Sequence, residues 1–292
     1  MEVFSFATAG ALTQLSDEVK LHLDRIRNIA VSLERQTADP FSVLFCALET
    51  INSPENSENE KISVIARYQL AQAIAETIML EGEEWYLKKY LSANYKEIDP
   101  GNRYAIQSEA IPIAYHRLDS FDFDARLYWR AVITDEVEQF LTGNSHLNLR
   151  GFLMFRLKPF CRALEEAARR AANKYLVEKE YLEFIKLLQY FVEMQEPRED
   201  TVHVLLKEKG PFAVFNANLF PIDRRYMGGK AEKLVAEDEY GDLLISVLIT
   251  ISPQRIVLHN NNDAEAIQTI MHVFEGRIEV CGGCELCRED GR

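Results

Sequence analysis

The chain has 292 residues, of which 33 are basic and 46 acidic, so its formal net charge is −13. This average field repels phosphate backbones and anionic membrane surfaces, which argues against nucleic acid as the partner. A hydrophobic content of 47% and a charged content of 27% are typical of a globular protein, and the length favours about two domains with cores that need no disulfides.

No stretch of the sequence is apolar for long enough to predict a membrane span. The most apolar run, Leu243–Ile251, is far shorter than the roughly 20 residues that a bilayer requires. The N-terminus, MEVFSFATAG, lacks the basic region and long apolar core of a signal peptide. We therefore expect a cytoplasmic protein with reduced thiols, in which Cys46 and Cys161 are small buried hydrophobes.

Residues 1–82 are predicted to form a small α+β unit of order β-α-β-β-α. Alternating apolar residues indicate the strands, and apolar residues at helical spacing indicate the helices. The predicted elements are strand Val3–Thr8, helix Leu15–Ile26, strand Ile29–Leu33, strand Phe41–Ile51 and helix Ile62–Leu80. Gly82 is expected to end the last of these helices.

Residues 83–197 are predicted to be helical, with breaks near Pro100-Gly101, Asp119–Asp122 and Gly143–His146. One helix carries an apolar stripe from Leu153 to Tyr175, with Pro159 either kinking it or lying in its first turn. A second helix carries a stripe from Val177 to Gln195 and stops before Pro197. Its spacing predicts that four aromatic residues pack in the core rather than form a stacking platform. They are Tyr181, Phe184, Tyr190 and Phe191.

Residues 198–292 are predicted to be a mixed α/β region with a cysteine-rich end. Thr201–Lys207 and Phe212–Asn216 are typical of a hairpin, and Glu239–Ile251 of a buried helix. Two strands, Arg255–Asn260 and Arg277–Cys281, then flank a helix that Asn262 or Asp263 caps and Gly276 ends. This β-α-β order predicts two parallel strands. The fold class is therefore α+β, with three regions that either form separate domains or one compact body.

Three of the five cysteines lie in a C-x2-C-x2-C pattern formed by Cys281, Cys284 and Cys287. Thiolates at this spacing can bind one metal ion because a tight turn brings the sulfurs together, and the Gly282-Gly283 pair favours such a turn. Three sulfurs are one ligand short of a closed zinc site or a four-cysteine iron–sulfur cluster. The pattern predicts zinc, an iron–sulfur cluster or a redox role, and the alternative is an exposed chain end without a role.

His259 is predicted to be the fourth ligand. Parallel strands of a β-α-β unit end at the same edge of the sheet, and His259 ends one strand while Cys281 ends the next. That edge is where open α/β sheets bind ligands. His272 lies near the C-terminal end of the intervening helix, at the opposite edge. The alternatives are that His259 caps its strand in a polar turn, and that a second chain or a solvent molecule completes the site.

A basic helix face is the second candidate site. Residues 150–174 contain seven basic and two acidic residues, and Lys158, Arg162 and Arg169 share a face opposite the apolar stripe. This face could bind phosphate or an acidic partner protein. The alternative is a solvated helix face on which Arg162 pairs with Glu166. No P-loop, dinucleotide fingerprint or nucleophile elbow is present, so the sequence indicates no catalytic residues.

Five stretches together resemble, in the same order, the YtxC-like family of sporulation proteins. They are Leu147–Phe160, Tyr175–Pro197, Val202–Leu206, Asp242–Asn260 and Gly276–Cys287. The resemblance implies a cytosolic protein of a spore-forming bacterium, associated with sporulation, and it implies that the C-x-x-C-E-L-C ending belongs to the family pattern. It supplies no catalytic residues and no substrate.

Three functional hypotheses follow. The first is a non-enzymatic binding or regulatory factor whose cysteines hold zinc or an iron–sulfur centre. The second is a thiol-redox or metal-dependent enzyme that acts at the sheet edge holding His259 and Cys281. The third is a protein that binds a partner protein through the basic helix face and has inert cysteines.

Overall fold

The structure is a computed structural model that describes residues 2–8, 13–38, 41–51, 56–115, 124–206, 212–222, 240–259 and 265–289. The chain divides into two compact units, Met1–Tyr175 and Leu176–Arg292. The boundary lies inside one long helix, and each unit has its own four-stranded sheet. The α+β class is confirmed, and the three-region division at residues 82 and 197 stays a prediction.

The sheet of the first unit has the strand order β2-β3-β1-β4. Its strands are β1 (Glu2–Thr8), β2 (Ile29–Ala38), β3 (Phe41–Thr50) and β4 (His146–Asn148). The first three pair antiparallel, whereas β4 pairs parallel to β1. Alternating residues such as Phe4, Phe6, Leu44 and Cys46 are buried, as a half-covered sheet requires. The predicted N-terminal element order is confirmed, and β4 escaped prediction because three residues are too few to show alternation.

The other regular elements that the structure describes in the first unit are helical. They are α1 (Thr13–Leu23), α2 (Asn56–Thr77), α3 (Glu83–Asn94), α4 (Pro100–Ala114), α5 (Ala125–Gly143), α6 (Leu149–Phe155) and the first part of α7 (Lys158–Met194). The expected helix end at Gly82 is wrong, because a π-helical turn, Ile78–Gly82, joins α2 directly to α3. Gly82 has ordinary helical backbone angles, φ −67° and ψ −43°, so nothing at this residue breaks the helical path.

Helix α7 replaces the two helices predicted on either side of residue 176. Since no glycine or proline lies between Phe160 and Gln195, nothing in the backbone interrupts it. Pro159 lies in its first turn, where its missing N–H leaves no bond unmade. The expected break at Asp119–Asp122 falls outside the described residues.

The second unit is built on a sheet of order β6-β5-β7-β8. Its strands are β5 (Thr201–Leu205), β6 (Ala213–Asn216), β7 (Arg255–His259) and β8 (Ile278–Val280), and its further helices are α8 (Tyr240–Ile251), α9 (Glu265–Val273) and α10 (Glu285–Glu289). Strands β5 and β6 pair antiparallel, which confirms the hairpin. Strands β7 and β8 pair parallel, which confirms the β-α-β unit. The expected cap at Asn262 or Asp263 lies outside the described residues.

In the part of the second unit that the structure describes, helices cover one face of this sheet, and the other, here called the open face, is partly accessible. Val202, Val204, Ile256 and Leu258 are buried in a core with apolar side chains of α7, α8 and α9. The intervening residues, such as Val257, point to the opposite face and stay partly accessible. The functional groups described below lie at one edge of that open face.

The four aromatic residues of α7 are not in the core, so that prediction is wrong. Phe184 and Tyr190 are 52% and 56% exposed, and Tyr181 and Phe191 are also exposed. The helix residues that enter the core of the second unit are Ile185 and Val192, with Leu188 partly buried against them. None of the helices in the described ranges is at once long and apolar enough to cross a membrane.

Candidate metal centre

The parallel pairing of β7 and β8 positions the candidate centre. His259 is the last residue of β7, and Cys281 directly follows β8. The backbone N–H of Cys281 donates to the carbonyl of Leu258 at 2.8 Å, which holds the start of the cysteine loop beside the end of β7. The predicted sharing of one sheet edge by His259 and the cysteines is therefore what the structure shows.

The loop after β8 folds the three cysteines back toward His259. Gly283 has a φ of +110°, a conformation that a residue with a Cβ rarely adopts. Cys284 immediately precedes the short helix α10, in which Cys287 follows three residues later. Residues three apart lie on the same helix face, so both thiols point to the same side.

The four predicted ligand atoms surround one point. The Sγ atoms of Cys284 and Cys287 are 3.8 Å apart, and those of Cys287 and Cys281 are 3.9 Å apart. His259 Nδ1 lies 3.4 Å from the Sγ atoms of both Cys284 and Cys287. All four donor atoms lie within 4.8 Å of one another.

These separations are close to those of a tetrahedral zinc site. With Zn–S bonds of about 2.3 Å and Zn–N bonds of about 2.05 Å, tetrahedral angles place two sulfurs about 3.8 Å apart and a sulfur about 3.5 Å from a nitrogen. The observed pairs differ from these values by about 0.1 Å. These four pairs therefore have the spacing of ligands to one zinc ion, and the Cys281 sulfur lies within 4.8 Å of the two remaining donors, Cys284 and His259.

The second nitrogen of His259 contacts a residue that was not predicted. His259 Nε2 lies 3.0 Å from Nδ1 of His203, on β5. A metal bound at Nδ1 requires the proton of His259 to be on Nε2, which then donates to His203. Outer hydrogen bonds of this kind fix the tautomer and orientation of ligating histidines.

His203 was missed, although the sequence contained a signal for it. Strands β5 and β7 pair parallel, with His203 opposite Val257 and Leu205 opposite His259. His203 and His259 are therefore an even number of positions apart in register, so their side chains lie on the same face. Predicting that contact requires knowing that β5 neighbours β7.

Electrostatics favour the metal-binding protonation state at two of the four candidate ligands, Cys284 and His259. At Cys281 the hydrogen bond from the backbone N–H of Gly283 is outweighed by desolvation and by the neighbouring thiols, which raise the pKa of this thiol. The backbone N–H of Cys287, with that of Leu286, lowers the pKa of the Cys284 thiol, which favours the thiolate that binds metals. Burial, and to a lesser degree the nearby His203, lowers the pKa of His259 and favours the neutral imidazole. His259 is 3% exposed, whereas the cysteines are half-buried at the sheet edge.

The other candidate residues lie elsewhere. His272 accompanies Tyr181, its Nδ1 being 3.3 Å from the Tyr181 hydroxyl, and it is not part of the cluster. On the predicted basic face, Lys158, Arg162 and Arg169 are exposed. Arg169 pairs with Glu166 at 3.1 Å, so part of that charge is neutralised within the helix. Binding by this face stays a prediction.

A sequence model of the YtxC-like family matches residues 68–279, which is more than half of the chain. The chain belongs to the YtxC-like family. It is 25% identical over 207 residues to a protein of Bacillus subtilis (strain 168) named "Uncharacterized protein YtxC", covering 68% of this chain and 71% of that protein. No solved structure matches.

The C-terminal end of the family match lies close to the candidate metal centre. The match extends well N-terminal of the stretches that suggested the resemblance, and it ends two residues before Cys281. The match therefore contains His259 and His203 but none of the three clustered cysteines. That the cysteine ending belongs to the family pattern stays a prediction.

Proposed function

We propose that the C-terminal segment of this YtxC-like protein binds one zinc ion through Cys281, Cys284, Cys287 and His259. We further propose that the protein is a binding or regulatory factor rather than an enzyme. The observation that carries the zinc proposal is the cluster of four donor atoms within 4.8 Å of one another, four pairs of which have near-tetrahedral separations. A role in sporulation rests on the family resemblance alone.

A single ion fits this geometry better than an iron–sulfur cluster. In a cluster, the cysteines bind different irons, which spreads the ligand sulfurs around a larger core. Here every donor atom lies within 4.8 Å of every other. The mixed thiolate and imidazole set is also one that zinc prefers.

The number of donors supports a structural rather than a catalytic centre. A catalytic zinc keeps one coordination position for water or substrate, whereas a structural zinc has four protein ligands. The three cysteines and His259 together fill a tetrahedral shell. Such an ion would fix the position of α10 relative to the ends of β7 and β8. The centre would then stabilise the fold of this segment or hold a binding surface in place.

Metal analysis of the full chain purified without oxygen tests this proposal. We expect about one zinc per chain by mass spectrometry and no visible absorption band. Cys284→Ser should lose most of the bound zinc. Cys161→Ser is the matched control, because Cys161 is a buried thiol of the first unit that lies outside the cluster, and its zinc content should be unchanged.

Two results would contradict the zinc proposal. A brown protein containing iron and acid-labile sulfide would show that the cysteines hold an iron–sulfur cluster, and it would favour a redox role. A chain without metal, whose stability and oligomeric state are unaffected by Cys284→Ser, would show that the cysteines hold no ion. Zinc together with a hydrolytic or thiol-exchange activity lost in Cys284→Ser would favour the enzyme alternative.

A further inference from the structure

The exposed side of α7 in the second unit carries a regular apolar seam. Val177, Phe184 and Phe191 follow one another at intervals of seven residues, and Leu187 and Met194 lie three residues after the last two of them. All five are exposed, by 65%, 52%, 49%, 52% and 68% in that order. This is the a and d spacing of a coiled coil, in which Glu180 occupies the remaining d position.

The seam faces away from the core that the same helix helps to build. At about 100° per residue, Leu187 lies roughly 150° around the helix from Val192 and Ile185, and Phe184 lies roughly 90° from them. Val192 and Ile185 are 2% and 4% exposed, in the core with β5 and β7. In the part of the second unit that the structure describes, these five large apolar side chains are exposed and are not among the core residues. Contiguous exposed apolar surface of this kind marks an interaction site.

We propose that this seam, residues 177–194, is a homodimer interface in which two copies of α7 pack antiparallel. A helix with a heptad seam is complementary to another helix with the same seam, so a second copy of the chain supplies a matching partner. In the antiparallel arrangement, a positions face d positions across a two-fold axis that passes between Lys186 and Ile185. Each layer then pairs one residue of the first copy with one of the second. The three pairs are Val177 with Met194, Phe184 with Leu187, and Phe191 with Glu180.

The position of Glu180 favours the antiparallel orientation. In a parallel pair, the two Glu180 carboxylates would face each other at one layer of the seam, which is destabilising for like charges. In the antiparallel pair, the carboxylates lie 11 residues apart along the axis, roughly 16 Å at the rise of an α-helix. Each can reach the solvent at the end of the seam, beside Phe191 of the other copy.

The area is sufficient for a reversible dimer. Tyr190 borders the seam and is 56% exposed, which brings the number of large apolar side chains to six. Half-exposed side chains of this size each present roughly 100 Å². Burial of six on each of two copies would remove on the order of 1,200 Å² from water, at the lower bound of specific interfaces. We therefore expect a dimer that dissociates on dilution, with a Kd in the micromolar range.

Sedimentation of the full chain over a range of concentrations, with matched variants, tests the proposal. Phe184→Glu places a charge in the central layer and should weaken dimerisation on the order of 100-fold. Leu182→Glu is the control, because Leu182 is just as exposed, at 55%, but lies off the seam, and it should leave the dimer intact. Both sites are exposed, so circular dichroism should show wild-type folding for each variant.

A photo-cross-linking amino acid at position 177 tests the orientation. Cross-linked peptides that join position 177 of one copy to the region of Met194 of the other support the antiparallel pair, and links between the two 177 positions would overturn it. A wild-type chain that stays monomeric at about 100 µM, well above a micromolar Kd, would overturn the dimer. Equal dissociation by Phe184→Glu and Leu182→Glu would also overturn it, because it would show that the heptad register does not matter. The outcome does not depend on whether the cysteine cluster binds zinc.

Discussion

At the residue scale, the two nitrogens of His259 have different partners, and the difference sets the chemistry. Nδ1 faces the sulfurs of Cys284 and Cys287 at 3.4 Å, and Nε2 faces His203 at 3.0 Å. If a metal occupies the first side, the second must carry a proton and requires an acceptor. His203 Nδ1 is that acceptor, so we assign it an orienting role rather than a ligating one.

Replacement of His203 should weaken zinc binding without removing it. His203→Val deletes the acceptor and should lower zinc affinity by about 10-fold to 100-fold, measured by competition with a chromophoric chelator. His203→Asn keeps an oxygen near the position of Nδ1 and should retain most of the affinity. His272→Ala is the control, since His272 lies outside the cluster. Equal affinities in His203→Val and wild type would show that His259 is oriented by other contacts.

A second single residue, Glu83, is a buried acid in the first unit. It is 3% exposed, and the hydroxyl of Tyr115 donates a hydrogen bond to it. Burial is the main cause that raises the pKa of this carboxyl from 4.5 to about 7. The folded state therefore holds a proton here that the unfolded chain releases at lower pH. The contribution of Glu83 to stability is fully present below pH 4.5 and is lost as the pH rises through 7.

Glu83→Gln should remove this pH dependence. The amide remains uncharged and can still accept from Tyr115, so the variant should be more stable than wild type at pH 8, by about 3 kcal/mol at most. The difference between variant and wild type should shrink toward pH 4.5, as measured by urea unfolding at several pH values. A difference that stays constant with pH would show that Glu83 titrates normally in the folded protein.

At the element scale, one face of β7 packs in the core of the second unit, and the other face positions His259. The inward-facing Ile256 and Leu258 are fully buried, while Val257 and His259 point to the other face. The short run of apolar, mostly β-branched residues Ile256-Val257-Leu258 was visible in the sequence, which made the strand predictable. Which face would be covered depends on helices from other parts of the chain, and this was not visible.

Substitutions on the two faces of β7 should therefore differ in cost. Leu258→Ala creates a cavity and should lower the free energy of unfolding by about 2–5 kcal/mol. Val257→Ala, its neighbour on the accessible face, should cost less than about 1 kcal/mol. Chemical denaturation followed by a probe in the second unit measures both. Similar costs would mean that both faces of this sheet are covered.

At the scale of the whole molecule, the chain consists of two units with separate cores, and the proposed ion belongs to one of them. Ligands that bind only the folded state stabilise it in proportion to the logarithm of their concentration. A structural zinc also contributes directly to folding of the segment that it joins. The effect of zinc on stability should therefore be greatest where its ligands lie, in Leu176–Arg292.

Hydrogen exchange with and without a chelator should show this distribution. Removal of zinc is expected to raise exchange most strongly in the amides of β7, β8 and α10, with the strands of the first unit as an internal reference. Cys284→Ser should reproduce the pattern without a chelator. A uniform increase over both units would indicate general destabilisation by the chelator or a second metal site, and it would contradict a local structural ion.

Several features were determined by the sequence alone, because they depend on residues close together in the chain. Apolar periodicity located most helices and strands, and the right-handed crossover of a β-α-β unit placed His259 and Cys281 at one sheet edge. Some local patterns gave wrong predictions, because the same residue type is compatible with more than one structure. Gly82 occurs where a helix could end, but the chain continues through it from a π-helical turn directly into α3.

Only the tertiary structure decided what depends on distant parts of the chain. It selected Nδ1 of His259 as the atom that faces the sulfurs, brought His203 to the other nitrogen, and left Phe184 and Phe191 exposed despite their core-like spacing. Helical spacing shows which residues share a face, but burial depends on whether another element packs on that face. The strand order β6-β5-β7-β8 and the position of α7 over one side of that sheet supply this information, and both arise from contacts between residues far apart in sequence.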